Sequence, residues 1–369
     1  MIANSELEYM QLALQLAAKA KDKTYPNPMV GAVIVKKNEI IGKGYHLKAG
    51  KPHAEVEAIK NASESCCGAA MFVTLEPCDH HGKTPPCTEA ITKSGISKVY
   101  IAMKDPNPIN SGRGIKKLRR AGIKVECGLC AREAKAINRK YIKFVKSGLP
   151  YVTLKLAESL DGKIAASDGS SKWISTVSAR KYVRKIRSQY NAIMVGSNTV
   201  HYDNPFLLDE KKRGYDTVRI IVDSSLKIPL NSNLIKTASK SPIIIGTTEF
   251  ANRAKKDKLC GMKGVSVVSL KSKGKRVPLK PFFKYLAQKG IMTILVEGGA
   301  ELAGSLIDET LADEIMFFIA PKIIGGNHFS IKGKGAKNIS EAVNLKDVQV
   351  KRFGTDIFVR GYIKNKRNL

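Results

Sequence analysis

Short apolar runs and amphipathic stretches alternate along the first part of the chain. Apolar positions spaced three or four residues apart, such as Leu12 and Leu16, indicate helices, and short continuous apolar runs indicate buried strands. The predicted strands are 30–35, 71–75, 98–103 and 123–126, and the predicted helices are 5–21, 116–121 and 131–145. This order predicts an α/β layer in which helices pack on a mostly buried sheet.

A second α/β pattern begins after Ser147-Gly148-Leu149-Pro150, where Gly and Pro indicate a domain junction. Its predicted strands are 151–157, 191–195, 218–222, 242–246, 292–296 and 314–319. A chain of 369 residues suits two domains of about 150–200 residues each. The two parts share no repeat, and we therefore expect one domain at residues 1–147 and another at 148–369.

The composition indicates a globular protein without a membrane span. Hydrophobic residues make up 43% of the chain, and no apolar run approaches the roughly 20 residues that cross a bilayer. Glu6 and Glu8 precede the first apolar positions, so the N-terminus resembles neither a signal peptide nor a transit peptide. The seven cysteines favour reduced thiols over a disulfide framework, and Cys127 and Cys130 form only an isolated C-x-x-C. We expect a cytoplasmic protein with no membrane partner.

The net charge is strongly positive, since the chain has 63 basic and 32 acidic side chains and therefore a formal net charge of +31. Such a charge favours anionic partners. The lysines are scattered along the chain, and no basic stretch is interleaved with the aromatic residues that stack on bases. We interpret the charge as a lysine-rich surface around sites for phosphorylated small molecules, and we expect no nucleic-acid partner.

His53-Ala54-Glu55 and Pro77-Cys78 match the first parts of a zinc deaminase signature, H-x-E followed by P-C-x-x-C. Such an enzyme uses three protein ligands and leaves a fourth position for an activated water. It also needs a carboxylate that moves a proton from the water to the departing amine. We predict His53 and Cys78 as zinc ligands and Glu55 as the proton shuttle. Residues i and i+2 lie on different sides of a helix, but a metal above the helix N-terminus is accessible from both sides.

The third ligand departs from this signature, because eight residues rather than two separate Cys78 from Cys87. Cys87 follows two prolines and opens a predicted helix, where a thiolate has a lowered pKa. We predict it as the third ligand. His80 and His81 are alternative ligands, and a structural zinc site is the alternative to the whole centre. A structural site would use four protein ligands and would not need Glu55.

The second half carries a candidate phosphate site at a strand end. The apolar strand 292–296 runs into Glu297-Gly298-Gly299, and a predicted helix begins at Ala300. Glycine lets the backbone approach a ligand, and a helix N-terminus offers N–H groups to phosphate. The alternative interpretation is a tight turn without a ligand.

Three arginines form a second candidate phosphate site. Arg180, Arg184 and Arg187 share one face of the helix predicted after Ser178. Such a row either clamps a phosphate or remains solvated, and the residues alone do not decide between the two.

Long motifs extend over nearly the whole chain. In the first half they are the ten residues from Pro26, Gly44-Tyr45-His46, Pro52-His53-Ala54-Glu55, the segment from Glu76 to Cys87, and Asp105-Pro106-Asn107-Pro108. In the second half they are 154–163, Trp173-Ile174-Ser175, 195–200, Asp203-Asn204-Pro205 and 296–304. By these motifs the chain resembles the bifunctional deaminase–reductase family of riboflavin biosynthesis, in which the eight-residue spacer between the cysteines is a hallmark.

This resemblance implies an α/β fold with two parts: an N-terminal cytidine-deaminase-like α/β/α domain with zinc, and a C-terminal dihydrofolate-reductase-like α/β domain. It implies zinc (Zn2+) and NADPH as cofactors, and two consecutive reactions on one phosphorylated pyrimidine. Water first replaces the 2-amino group of 2,5-diamino-6-ribosylamino-4(3H)-pyrimidinone 5′-phosphate, which releases ammonia. NADPH then reduces the ribosyl group, which gives 5-amino-6-ribitylaminouracil 5′-phosphate. The resemblance also implies a homo-oligomer formed through the reductase domain.

The resemblance assigns contacts residue by residue. It assigns substrate contacts to Asn27, His46, Ser171, Arg187, Leu207 and Glu297. It assigns NADPH contacts to Ala157, Trp173, Thr199, Asp203, Ser224, Gly299, Ala300, Glu301, Leu302, Ala303, Gly304 and Ser305. Two positions depart from the family. Asp79 stands where relatives more often have Ser, and Glu210 stands where they have an Arg, for which Arg213 is the candidate replacement.

Two other functions are compatible with parts of the sequence. One is deamination of a nucleotide or a tRNA base, and the eight-residue spacer and the second half argue against it. The other is a nucleic-acid-binding protein with a degenerate zinc fold. The charge of +31 favours that hypothesis, and the intact set of His53, Glu55, Cys78 and Cys87 opposes it.

Overall fold

Two separate sheets form in this chain, each with its own hydrophobic core. A computed structural model describes residues 4–20, 23–81, 85–208 and 217–364, and the chain divides into two units, Met1–Gly148 and Leu149–Leu369. In these described ranges, every helix is too short or too polar to cross a membrane.

The first unit is an α/β layer built on five strands. The strands are β1 (Gly31–Lys36), β2 (Glu39–Tyr45), β3 (Ala70–Val73), β4 (Lys98–Ile101) and β5 (Lys124–Cys127). The helices are α1 (Asn4–Ala18), α2 (Ala54–Lys60), α3 (Cys87–Lys93), α4 (Arg113–Arg120), α5 (Ala131–Ile137) and α6 (Arg139–Ser147).

The order of the first sheet is β2-β1-β3-β4-β5. Strand β1 is antiparallel to both of its neighbours, whereas β3, β4 and β5 are parallel. The central strands are apolar because both faces are covered, and residues such as Ile34, Met71 and Ile101 are fully buried. Because parallel strands end at one edge of a sheet, the loop after β3 can reach the helices above that edge.

The helix predicted over 131–145 is wrong as a single element, because it is interrupted at Asn138. The side-chain amide of Asn138 bonds both backbone groups of Met29: its Oδ1 accepts from the Met29 N–H at 2.8 Å, and its Nδ2 donates to the Met29 carbonyl at 2.9 Å. This long-range contact fixes Asn138 between α5 and α6. A local periodicity of apolar residues contains no signal for such a contact.

The second unit is built on a nine-stranded sheet. The strands are β6 (Tyr151–Ser159), β7 (Ala192–Gly196), β8 (Val218–Val222), β9 (Ile243–Thr248), β10 (Val265–Leu270), β11 (Thr293–Glu297), β12 (Glu314–Ala320), β13 (Leu345–Phe353) and β14 (Asp356–Ile363). The helices are α7 (Val177–Arg187), α8 (Ser197–Asp203), α9 (Asn233–Lys236), α10 (Arg253–Cys260), α11 (Leu279–Gln288) and α12 (Ala300–Asp308), with a short 3-10 helix at Ile339–Glu341.

The order of the second sheet is β10-β9-β8-β7-β11-β6-β12-β14-β13. The strands from β10 to β12 are parallel, and β14 and β13 add an antiparallel hairpin at one side. Helices cover both faces, as the several hydrophobic clusters around the strands show. The carboxyl ends of β6, β11 and β7 are adjacent, and open α/β sheets bind their ligands at such an edge.

Candidate active sites

The first turn of α2 brings His53 and Glu55 together. His53 is the N-cap residue, with extended backbone dihedrals (φ −77°, ψ 165°), so its side chain leaves the helix in a different direction from those that follow. Glu55 lies in the first helical turn and is 3% exposed. The position of His53 outside the helix explains how residues two apart in sequence can serve one site.

Cys78 and Cys87 meet His53 above this helix end. Nδ1 of His53 lies 3.2 Å from Sγ of Cys87 and 3.5 Å from Sγ of Cys78. All three ligand atoms lie within 4.8 Å of one another. Two thiolates and one imidazole are the soft and borderline donors that zinc prefers, and three protein ligands leave a fourth position open. The donor set therefore fits a zinc ion of the catalytic type.

The ionisable groups around this cluster are perturbed in the way such a site requires. The hydrogen bond between the two cysteines lowers the pKa of Cys78 to about 4 and raises that of Cys87 well above its usual range, so the sulfurs share one proton between them. Burial, together with the nearby Cys78, raises the pKa of Glu55 to about 7. A carboxyl group with that pKa both accepts and releases protons near neutral pH.

Asn27 and His46, both predicted to contact the substrate, lie together beside the predicted ligand His53. Nδ2 of Asn27 is 3.0 Å from Nε2 of His46, and the His46 ring lies edge-on to the His53 ring with 5.2 Å between centroids. The other ring nitrogen of His46, Nδ1, is 3.1 Å from the Pro52 carbonyl oxygen. A carbonyl only accepts, so Nδ1 carries the proton and Nε2 accepts from Asn27. Burial lowers the pKa of His46 and favours this neutral form.

The alternative ligands lie away from the cluster. His80 and His81 are exposed, and Nε2 of His81 lies 3.7 Å from a carboxylate oxygen of Glu89. Among the residues that the structure describes, the only group with metal-binding geometry is the one formed by His53, Cys78 and Cys87. Cys127 and Cys130 are not part of it. Residues 82–84 of the spacer lie outside the described residues.

At the carboxyl edge of the second sheet, two glycines make the turn from β11 into α12. Gly298 and Gly299 both have positive φ angles, 88° and 84°, which other residues rarely adopt. A Cβ atom on Gly298 would lie 3.1 Å from Oγ1 of Thr199. The glycines therefore let the N-terminus of α12 approach Thr199, which lies in the first turn of α8. The N-termini of α8 and α12, both predicted to contact NADPH, therefore lie next to each other at this edge of the sheet.

The remaining residues predicted on α12 differ in exposure. Leu302, Ala303 and Gly304 are buried in the core, and a Cβ on Gly304 would lie 1.8 Å from the Lys332 carbonyl oxygen. Contacts of these three residues with a cofactor would thus be made by backbone atoms. Of the three, Leu302 lies in the first helical turn, where N–H groups lack a helical acceptor, whereas the Ala303 N–H already donates to the Gly299 carbonyl at 3.0 Å.

Arg187 and Glu297, both predicted to contact the substrate, form a two-point ion pair. Nε of Arg187 lies 2.5 Å from Oε1 of Glu297, and its Nη2 lies 2.9 Å from Oε2. Burial alone would raise the pKa of Glu297, but Arg187 and Lys155 together hold it below its ordinary value. The carboxylate is therefore ionised and held in one orientation.

Lys155 lies beside these residues and was not predicted from the sequence. It pairs with Glu297 across β6 and β11, so the two side chains lie on one face of the sheet. Burial lowers the pKa of Lys155, while Glu297 and Asp203 oppose that change. The signal in the sequence was a lysine inside an otherwise apolar strand, Tyr151–Ala157, at a place where a charge is expensive to bury.

The three arginines of α7 do not act as one clamp. The guanidinium carbon of Arg180 lies 4.3 Å from the centre of the Trp173 ring, and Arg180 also donates to the Ser175 carbonyl. Arg184 is exposed, and Arg187 binds Glu297. The three side chains share a helix face but have different surroundings.

A loop that contains Ser171 and Trp173 is fastened to the end of α8. Ser171 Oγ donates to Oδ1 of Asp203 at 2.9 Å, and Nζ of Lys172 donates to the Asp203 carbonyl at 2.9 Å. Trp173 is 63% exposed, and its carbonyl accepts from Nζ of Lys322 at 2.9 Å. The structure thus joins a predicted substrate contact, Ser171, to a predicted cofactor contact, Asp203.

Three further predicted residues lie around this edge of the sheet. Ala157 is near the end of β6, Leu207 is buried with a left-handed φ of 51°, and Ser224 accepts at Oγ from the Val277 N–H at 3.1 Å. Glu210 and Arg213, where the phosphate contact departs from the family pattern, lie outside the described residues.

Comparison with known families matches both units. The profile of the cytidine and deoxycytidylate deaminase zinc-binding region matches residues 3–103, and that of the RibD C-terminal domain matches residues 150–359. The predicted cytidine-deaminase-like and reductase folds are thereby confirmed. Zinc and NADPH, the two cofactors expected from the sequence, are those of a deaminase and reductase of this type.

Relatives match over almost their full length. The riboflavin biosynthesis protein RibD of Aquifex aeolicus (strain VF5) is 44% identical over 364 residues, which cover 97% of this chain and 99% of that protein. RibD of Escherichia coli (strain K12) is 37% identical over 363 residues, with coverages of 95% and 97%.

Solved structures agree with these relatives. Acinetobacter baumannii RibD, form 1, is 34% identical and superposes with a TM-score of 0.85 over 98% of this chain and 99% of that chain. A diaminohydroxyphosphoribosylaminopyrimidine deaminase / 5-amino-6-(5-phosphoribosylamino)uracil reductase from Thermotoga maritima gives a TM-score of 0.80 at 34% identity, with the same coverages. With both domain types and nearly complete coverage, this chain belongs to the RibD family and is a bifunctional deaminase and reductase of riboflavin biosynthesis.

Proposed function

We propose that the first unit deaminates 2,5-diamino-6-ribosylamino-4(3H)-pyrimidinone 5′-phosphate, and that the second unit reduces the ribosyl group of the product to ribityl. The observation that carries this proposal is the cluster of His53, Cys78 and Cys87, within 4.8 Å and above the buried Glu55. The activities printed for the Thermotoga maritima relative support the choice of a phosphorylated aminopyrimidine.

In the deaminase site we assign His53, Cys78 and Cys87 as the zinc ligands. When bound, zinc supplies the Lewis acidity by which a water loses a proton near neutral pH. Glu55 takes that proton and passes it to the 2-amino group, which leaves as ammonia while the water oxygen remains on the ring carbon. The raised pKa of Glu55, about 7, supports this double role.

We assign Asn27 and His46 to orientation of the pyrimidine. Their hydrogen bond fixes the neutral tautomer of His46, and both residues lie beside the ligand His53. Side chains held in this way present fixed polar groups to a substrate and lose little freedom when it binds.

In the reductase site we assign Ser171, Arg187, Leu207 and Glu297 to the substrate, and we add Lys155. NADPH supplies the hydride that is added to the ribosyl carbon. The reduction also consumes a proton, and we assign its donation to Lys155, which is half-buried on the sheet face that carries Glu297. The Arg187–Glu297 pair fixes the carboxylate beside Lys155, and this carboxylate opposes the lowering of the Lys155 pKa by burial.

We assign NADPH to the carboxyl edge of β6, β11, β7 and β8. The starts of α8 and α12 converge at Thr199 and Gly298, and helix N-termini of this kind bind phosphate groups. The residues that we assign to the cofactor are Ala157, Trp173, Thr199, Asp203, Ser224, Gly299, Ala300, Glu301, Leu302, Ala303, Gly304 and Ser305.

We also propose the organisation that the family resemblance implies. The deaminase domain comprises residues 1–147 and the reductase domain residues 148–369. The enzyme works in the cytoplasm on a phosphorylated pyrimidine, with neither nucleic acid nor membrane as a partner. Copies of the chain associate through the reductase domain.

Supplying the diaminopyrimidine phosphate with and without NADPH tests the two assignments. We expect ammonia release in both cases and a decrease in the absorbance of NADPH only when it is present. Lys155→Met is expected to release ammonia at the parent rate and to lose the absorbance change, because it lacks the proton donor. Reduction by Lys155→Met at the parent rate would contradict the role of Lys155, and absence of ammonia from the parent would contradict the proposed function.

A further inference from the structure

The residues that follow the two cysteine ligands bind each other. Asp79 comes directly after Cys78, and Thr88 directly after Cys87. Oγ1 of Thr88 donates to Oδ1 of Asp79 at 2.9 Å, and the Thr88 N–H donates to the Cys78 carbonyl at 3.2 Å. Thr88 is fully buried, and the Asp79 side chain is 16% exposed. Two hydrogen bonds that are largely shielded from water thus join the Cys78 segment to the start of α3.

A second set of contacts holds the Cys78 segment from the other side. The Asp79 N–H donates to Oδ1 of Asn110 at 2.9 Å, and Nδ2 of Asn110 donates to the Pro77 carbonyl at 3.4 Å. Asn110 is 1% exposed, so water does not compete for these bonds. Nζ of Lys117, on α4, lies 3.6 Å from Oδ1 of Asp79. One buried amide therefore holds the backbone on both sides of Cys78.

These contacts matter because the covalent connection between the ligands is long. Eight residues separate Cys78 from Cys87, and a spacer of that length does not by itself fix the distance between two sulfurs. The Cys87 N–H nevertheless donates to Sγ of Cys78 at 3.4 Å. The bonds of Thr88, Asp79 and Asn110 supply the constraint that a two-residue spacer would supply through the chain itself.

We propose that Asp79, Thr88 and Asn110 are positioning residues that hold Cys78 and Cys87 at the separation that zinc requires. The inference rests on the zinc ligands assigned in the proposed function. It gives Asp79 a specific task, because its carboxylate accepts from Thr88 and pairs with Lys117. Loss of a partner that orients a metal ligand typically lowers metal affinity or activity about 10–100-fold.

The test is the zinc dissociation constant of the full chain, measured by competition with a chromophoric chelator. Thr88→Val keeps the shape of the buried side chain and removes the donor, and Asp79→Ala removes the acceptor. Each is expected to weaken zinc binding about tenfold, the lower end of the range for residues that orient metal ligands. The double variant is expected to be no weaker than Asp79→Ala, because both changes remove the same bond.

Two further variants separate positioning from general stability. Asp79→Asn keeps an oxygen that accepts from Thr88 and is expected to bind zinc within about threefold of the parent. Glu89→Ala, one position after Thr88 on the same helix, removes a carboxylate that faces His81 and is expected to leave zinc affinity unchanged. If Asp79→Ala does not fold, the zinc affinity of Thr88→Val decides the question.

Zinc affinities of Thr88→Val and Asp79→Ala within twofold of the parent would overturn the inference. An equal loss in Glu89→Ala would also overturn it, because the effect would then not depend on the Asp79–Thr88 bond. Cys78→Ser, measured in the same way, tests the ligand set separately. If Cys78→Ser binds zinc as tightly as the parent, the proposed zinc site itself is wrong. If Cys78→Ser loses much of its zinc affinity while Thr88→Val and Asp79→Ala keep theirs, the zinc site stands and only this inference fails.

Discussion

Single buried side chains hold the backbone next to the deaminase site. Glu76, two residues before the proposed ligand Cys78, is 3% exposed and accepts three backbone hydrogen bonds. The donors are the N–H groups of Asp105 at 3.1 Å, Gly112 at 2.9 Å and Ile115 at 3.2 Å. One carboxylate therefore fixes the loop that leads into α4 against the segment after β3 that carries Cys78.

We expect Glu76→Gln to lower the free energy of unfolding by about 2 kcal/mol, since hydrogen bonds to a charged group are stronger than those to a neutral one and the amide keeps only one accepting oxygen. Urea unfolding of the variant and the parent at neutral pH measures this difference. An unchanged unfolding midpoint would show that the three backbone bonds do not depend on the charge of Glu76.

In the reductase unit, Glu314 and Arg360 form an ion pair. Glu314 is fully buried and accepts from Arg360, from the hydroxyl of Tyr151 at 3.1 Å and from that of Thr153 at 3.2 Å. Arg360→Met leaves this carboxylate buried without its cation and is expected to cost about 3–5 kcal/mol of unfolding free energy. Addition of Glu314→Gln is expected to recover part of the loss. A double variant less stable than Arg360→Met would contradict this account of the pair.

At the scale of residues, the sequence was sufficient to predict site residues that lie in local motifs. It was insufficient for residues that only the fold brings together. His53, Glu55, Cys78 and Cys87 were predicted from residue types and spacing, and the structure brings them together. Lys155 was missed because its partner, Glu297, lies on another strand and only the register of β6 and β11 makes them neighbours. The pairing of Arg187 with Glu297 was missed because it joins α7 to β11 across 110 positions of the sequence.

At the scale of elements, the placement of α2 depends on a glycine in β2. A Cβ atom on Gly44 would lie 2.3 Å from the Ala54 carbonyl oxygen and 2.4 Å from the Ala58 backbone nitrogen. Only a residue without a side chain lets this helix lie so close to the strand. Because α2 begins next to His53 and contains Glu55, the contact also sets the height of the metal site above the sheet.

We expect Gly44→Ala to displace α2 and to lower the free energy of unfolding by about 1–3 kcal/mol or more, as overpacking against a rigid neighbour does. Zinc affinity is expected to fall with it. Thermal unfolding with and without added zinc measures both effects. Gly274→Ala, at a glycine with open space around it and no positive φ, is the control for steric clash. Stability equal to the parent in Gly44→Ala would contradict the close approach.

The elements that the sequence predicted were those with buried, continuous apolar runs. The central strands of both sheets fall within a few residues of their predicted bounds, as β8 at Val218–Val222 does. Strand β13 was not predicted, because it is an edge strand with an almost entirely exposed pattern and charged residues such as Lys346 and Arg352. Strand β10, half exposed at the opposite edge, was missed likewise. Edge strands lack the two covered faces that give buried strands their signature.

At the scale of the whole molecule, the net charge of +31 belongs to a chain whose proposed substrate and cofactor both carry phosphate groups. A positive potential raises the encounter rate with anions and weakens as salt screens it. We expect kcat/KM for both reactions to fall severalfold between about 0.05 and 0.5 M KCl, while kcat changes little, because steering acts on encounter rather than on chemistry. Initial rates at fixed pH measure this. Salt-independent kcat/KM values would show that the charge serves another purpose.

Both domains are explained by a single chemical sequence, in which the product of one site is the substrate of the other. The proposed function depends most on the deaminase site, because the cluster of His53, Cys78 and Cys87 and the buried Glu55 indicate the first reaction. Separate activities in one chain also provide an internal control: a variant that stops one reaction should leave the other intact.

The most direct measurement is ammonia release by zinc-loaded Glu55→Gln, with zinc content determined on the same sample. The amide cannot accept a proton, so we predict full zinc occupancy, a loss of about a thousandfold in ammonia release, within the range for removal of a general acid–base group, and unchanged reduction of pre-deaminated substrate. Ammonia release at the parent rate by the zinc-loaded variant would contradict the role of Glu55 and with it the central claim.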